Sequence, residues 1–125
     1  MKQTGFIFPF EKLEVWHLAI ELVQYVLNEL TSCPTHKHFR LIQQMEEAVT
    51  SIAQNISEGK GRQYKKEFIQ FLYIAEGSLF EVITLAEIFS RMHLITNEQV
   101  AGIRTRPEVI DRKLHGLINS LRGRT

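Results

Sequence analysis

The sequence predicts an all-α fold, an antiparallel up-down-up-down bundle of four helices. Apolar residues recur at alternating spacings of three and four along four long segments, which is the signature of a helix face. The connections between these segments are short, so successive helices should lie side by side and run in opposite directions. Only three prolines interrupt the 125 residues, and no long β-branched alternation marks a strand. Residues 1–125 read as one domain, with 1–9 an N-terminal arm and 122–125 a basic tail.

The arm carries Phe6, Ile7, Phe8 and Phe10, too apolar for a free tail, and is expected to pack on the bundle or on a neighbouring subunit. The first helix should run from about Phe10 to Ser32. Leu13, Trp16, Ile20, Val23, Leu27 and Leu30 give one seam, and Val15, Ala19, Leu22 and Val26 give a second beside it. Two seams imply contacts on two sides. Pro34 should end this helix, because proline cannot donate and disfavours the α region in the residue before it.

The second helix, from about Lys37 to Glu58, shows Ile42, Met45, Val49, Ile52 and Ile56 on one face. Gly59 suits a helix C-terminus, where a left-handed conformation costs glycine little. The third helix, from about Tyr64 to Met92, has a heptad seam of Phe68, Leu72, Ala75, Leu79, Val82, Ala86 and Phe89. Ile69, Tyr73, Phe80 and Ile83 add another stripe, and Phe71, Ile74, Leu85 and Ile88 widen the apolar surface further. A helix apolar nearly all round must be covered nearly all round, by the rest of the chain or by other subunits. Thr96 resembles an N-cap with Gln99 three residues on, as in a capping box. Pro107 should break or kink the fourth helix, whose second piece turns Ile110, Leu114, Leu117 and Leu121 to the core.

Apolar content of 44 % and charged content of 23 % are those of an ordinary globular protein, and a net charge of +1 gives no overall attraction to nucleic acid. The single cysteine, Cys33, excludes an internal disulfide and fits a reducing compartment. The N-terminal apolar patch is too short for a secretory signal, and no apolar run approaches the ~20 residues that span a bilayer. A cytoplasmic protein without a membrane role is expected.

Catalytic and metal motifs are weak. Glu14 and His17 form one Glu-x-x-His pair, but a di-iron bundle needs two, and Asp111 and His115 are four apart. His36, His38 and His93 are loop residues near Cys33, without the fixed geometry of a metal centre or an orienting group for a nucleophile. No enzyme activity, cofactor or metal is expected. Ser51, Asn55 and Ser78 lie beside apolar seams and predict a hydrogen-bonded polar layer fixing register between the second and third helices. Gly77 should mark close backbone approach at that level, since a mid-helix glycine costs about 1 kcal/mol relative to alanine.

The turn GKGRQYKK lacks the spacing of a phosphate-binding loop. Its charge matters through topology. In an up-down-up-down bundle this turn shares one end with both termini, so Lys60, Arg62, Lys65, Lys66, Arg122 and Arg124 should cluster, with Lys2 near them. Glu58, Glu67 and Glu11 offset part of that charge.

The string SIAQNISEGKGRQYKKEFIQFLYIAEGSLFEV, with Phe10, Leu13, Val15, Trp16 and Ala19 upstream, resembles the signature of the four-helix-bundle proteins encoded in 23S rRNA intervening sequences. The resemblance covers nearly the whole chain. It implies a closed ring of five bundles and kinship with the accessory protein of diversity-generating retroelements, which associates with nucleic acid and a reverse transcriptase. This chain departs from the family in carrying Glu46 and Glu47 where basic residues are frequent on the second helix. The expected function is thus a non-enzymatic, ring-forming, pentameric bundle that binds RNA or DNA weakly and without sequence preference through its basic end. The alternative is a scaffolding oligomer that binds another protein.

Overall fold

The structure, a computed structural model, describes residues 5–33 and 35–123, and the side chains of all of these except residues 35 and 36. Helix α1 (Glu14–Glu29) is preceded by a 3₁₀ turn at Pro9–Lys12 and followed by another at Leu30–Ser32. Helices α2 (Thr35–Lys60), α3 (Lys65–Arg91) and α4 (Asn97–Leu121) complete the chain, with no strand among the described residues. Each helix packs on its neighbours in sequence and α4 closes on α1, which makes the four-helix bundle. Pro34, expected to end the first helix, lies outside the described residues.

The seam that α1 turns fully inward is Val15, Ala19, Leu22 and Val26. Trp16, Ile20, Val23 and Leu27 are partly buried against the same core. Both seams of α1 are therefore used within one chain, one deeply and one at the edges. From α2 come Met45, Val49, Ile52 and Ile56, and from α3 Leu72, Ala75, Leu79, Val82, Ala86 and Phe89, all fully buried. Burying such residues at about 25 cal/mol per Å² of apolar surface drives the assembly.

Helix α3 is long and apolar enough, by length and composition, to cross a membrane, with a window of mean hydropathy 1.4. The core helix of a bundle passes the same test of length and composition. In this chain α3 serves as a packed helix of the bundle, its heptad seam buried. Its outer stripe is not covered: Tyr73, Ile74, Phe80 and Ile88 remain exposed, Phe80 by 51 %.

Three local expectations change. Helix α4 runs as one element through Pro107 rather than breaking there. Proline removes the amide that would have bonded the Ile103 carbonyl, a local cost that burial of the Pro107 ring offsets. The departure from helical geometry falls instead at His38 in α2, with φ −124° and ψ 34°. Gly59 does not end α2 in a left-handed conformation. It lies inside the helix, and a Cβ there would come 2.6 Å from Phe71 Cβ and 2.9 Å from Phe68 Cδ1, so α2 and α3 meet closely at that point.

The left-handed C-terminal residue occurs on α3. His93 has φ 62°, its amide donates to the Ser90 carbonyl, and the Leu94 amide donates to that of Phe89 at 2.9 Å, which is a Schellman motif without glycine. The α4 capping box forms as expected: the Gln99 amide donates to Thr96 Oγ1 at 3.1 Å and the Thr96 amide to Gln99 Oε1 at 2.8 Å. Gln99 Nε2 also donates to the Glu29 carbonyl at 3.2 Å, tying the start of α4 to the end of α1.

Candidate functional site

The basic turn Gly61–Tyr64 joins two helices whose ends are held by aromatic faces. Lys60 Nζ sits 5.7 Å from the centre of the Phe68 ring, and the Arg62 guanidinium 4.6 Å from that of Phe71. These contacts fall within cation–π range and orient the cations while leaving both residues exposed. Arg62 and Lys66 line one shallow groove of about 370 Å³ with Glu67, Gln70 and Phe71. Lys65 is exposed beside it.

Lys66 and Tyr73 are seven residues apart, so they share a face of α3 about two turns, or ~10 Å, from one another. The Arg122 guanidinium, just past the end of α4, lies 5.6 Å from the Tyr73 ring centre. The fold thus brings a C-terminal arginine to the end of the bundle that carries the turn, as antiparallel topology requires. Lys2 and Arg124 lie outside the described residues. Glu67 lines the same groove and offsets part of the charge.

The polar layer is present without its glycine. Ser51 and Ser78 hydroxyls are 2.9 Å apart, and Asn55 Nδ2 donates to both the Ser51 carbonyl at 2.8 Å and its hydroxyl at 2.9 Å. Gly77 plays no part in close approach: it is exposed, and a Cβ there would meet nothing within 4 Å. The close approach expected at Gly77 occurs at Gly59, and again at Gly102, whose missing side chain makes room for the Tyr25 hydroxyl. Tyr25 in turn carries the Arg106 guanidinium 3.6 Å from its ring centre. Neither Gly102 nor its partners can be paired from sequence, since the contact spans helices far apart along the chain.

The Glu14 and His17 pair is occupied elsewhere. Glu14 binds Lys113 Nζ at 3.1 Å, and His17 Nε2 lies 2.6 Å from the Glu11 carbonyl. Cys33 is buried, donates to the Leu94 carbonyl at 3.4 Å, and has its thiol pKa raised by that burial, the reverse of an activated nucleophile. The side chain of His36 lies outside the described residues.

One cluster is only half legible in sequence. Asp111 and His115 stand one turn apart on α4, and Glu76 of α3 faces them, with Oε2 2.6 Å from His115 Nε2. Asp111 Oδ1 is 3.7 Å from the same nitrogen. Burial first, and the Glu76 carboxylate next, push the Asp111 pKa up to about 6, while His115 pulls the other way. The spacing of Asp111 and His115 is visible in sequence, but Glu76 sits 35 residues upstream of Asp111 and gives no signal.

An antiparallel four-helix bundle is the class these features define. The profile of the 23S rRNA-intervening sequence protein family matches residues 11–116, and the chain belongs to that family. A crystal structure of a protein of unknown function from the S23 ribosomal protein family of Bacteroides thetaiotaomicron is similar, with 26 % identity and a TM-score of 0.76. The similarity covers 83 % of this chain and 97 % of that one. No curated protein matches.

Proposed function

We propose that the protein is a non-enzymatic, ring-forming bundle, pentameric by family resemblance, that binds RNA or DNA weakly and without sequence preference in the cytoplasm. The observation that carries this reading is the position of Arg122 over Tyr73, two turns above Lys66. It supports reading the turn and the C-terminus as one basic end. Phosphate contacts carry no sequence information and accumulate with each copy in a ring. The lone cysteine fits a reducing compartment.

Assembly is supported by the exposed stripe of Tyr73, Ile74, Phe80 and Ile88 on α3. Gly77 lies within it, between Tyr73 and Phe80, where no residue of the same chain needs the space. A glycine there leaves a flat spot on which another helix can approach.

A second reading, a scaffold for another protein, is favoured by the aromatic arm. Phe6, Phe8, Phe10 and Trp16 follow one another with ring centres 5.0, 5.8 and 5.1 Å apart, and Phe6 is 72 % exposed. Titrating unrelated single-stranded RNA and duplex DNA at several salt concentrations separates the two. Comparable affinities that fall steeply with salt support the nucleic-acid reading, and no binding at low salt supports the scaffold.

A further inference from the structure

We propose that Glu76, Asp111 and His115 form a divalent transition-metal site at the seam between α3 and α4, with Zn²⁺ the best-matched ion. One ligand atom from each residue lies within 4.8 Å of the other two. Bonds of ~2.0–2.1 Å in tetrahedral geometry place ligand atoms ~3.3 Å apart. The His115 to Glu76 and His115 to Asp111 separations, 2.6 and 3.7 Å, straddle that value. The two His115 pairs therefore need shifts of tenths of an ångström, which the half-exposed imidazole has room to make, and the two carboxylates lie within 4.8 Å of one another.

An independent observation points the same way. Asp111 Oδ1 is buried and has no hydrogen-bond partner, its approach to His115 being too long for one. Buried polar atoms are normally satisfied, and a cation is one group that would satisfy this oxygen in place of a proton shared with Glu76. The donor set narrows the class. One imidazole with two carboxylates suits Zn²⁺ and its neighbours, whereas Mg²⁺ and Ca²⁺ prefer oxygen alone. Three protein ligands leave a fourth position for water, the arrangement of an open site.

Asp111 also lines a groove of about 600 Å³ between α3 and α4, which gives an ion a route in. Without metal, the imidazole bonds directly to Glu76 and the site is closed on itself. Binding replaces the proton held between them, so metal uptake releases a proton and weakens as pH falls.

The test uses the whole chain after chelator treatment. Calorimetric titration with Zn²⁺ should give one site per chain, Co²⁺ should give visible absorption bands from a site of low coordination number, and Zn²⁺ but not Mg²⁺ should raise Tm. His115→Gln and Asp111→Asn should each weaken Zn²⁺ by at least ~10-fold, the scale seen even for supporting residues of metal sites. Cys33→Ser with His93→Gln, away from the cluster, should leave binding intact. Unchanged affinity in both cluster variants, or loss in the distant pair alone, overturns the site. If a cluster variant does not fold, the His115 ring resonances of the parent decide: Zn²⁺ must shift them, and resonances that stay put contradict the proposal.

Discussion

The hydroxyls of Ser51 on α2 and Ser78 on α3 lie 2.9 Å apart, half-buried between two apolar seams, and Asn55 closes the group by donating to Ser51. Each member satisfies another, so the layer tolerates burial. Ser78→Ala should cost about 1 kcal/mol, because Ser51 keeps its bond from Asn55. Ser51→Ala should cost more, about 1–3 kcal/mol, since it removes two hydroxyl contacts and leaves Ser78 without its partner, while Asn55 keeps its bond to the residue-51 carbonyl. The double variant should fall short of the sum in denaturant unfolding. Additive losses would mean that the hydroxyls are not coupled.

Two glycines of opposite role offer a sharper contrast. Gly59→Ala drives a Cβ into Phe71 and should destabilise by about 1–3 kcal/mol. Gly77→Ala meets nothing and should raise helix stability by up to ~1 kcal/mol. Gly77→Leu should keep the helical circular dichroism and yet lower the mass seen by light scattering, if the exposed stripe of α3 is a contact between copies. A parent that is already monomeric at micromolar concentration removes both the ring and the reading of that stripe.

His93 holds a left-handed conformation that costs L-residues about 1–2 kcal/mol when they lack glycine's freedom. His93→Gly should therefore raise Tm by a few degrees, an effect checked by thermal unfolding. A fall in Tm would show that the imidazole contributes something the Schellman geometry does not account for.

Asp111 makes a pH prediction for the metal-free protein. Its folded pKa, about 6, is raised above the ordinary 3.8, so its stabilising contribution is fully present below that lower value and is lost as pH rises through 6. Glu76 on α3 and His115, Arg104 and Glu108 on α4 surround it or line its groove. With chelator present, Asp111→Asn should be relatively more stable than the parent at pH 7 than at pH 4. A stability difference independent of pH across that window would contradict the raised value.

The bundle is legible in the sequence wherever one residue type has one reason to be in place. Thr96 with Gln99 can only be a helix start, and the spacing of Ile52 and Ile56 can only be a core face. Gly59 and Gly77 mislead because a glycine near a helix end or inside one has two explanations, backbone freedom and close approach, which only the partner helix separates. Pro107 misleads because its cost is local, while the burial of its ring is tertiary. Topology alone foretells that Arg122 stands near the turn. The aromatic seats of Lys60, Arg62 and Arg122 depend on side-chain directions that spacing does not give.

The basic end is tested most directly by the salt dependence of RNA binding in an assembly of known mass. Replacing Lys60, Arg62, Lys65 and Lys66 with glutamine should weaken RNA and DNA alike and flatten the slope of log K against log salt by roughly one for each phosphate no longer neutralised. Replacing Arg122 and Arg124 should weaken binding in the same way but by less. The mass should not change in either variant, because none of the described residues among these six lies on a buried seam. Binding and slope unaltered by all six substitutions would contradict the proposed interface and leave the protein scaffold as the better reading.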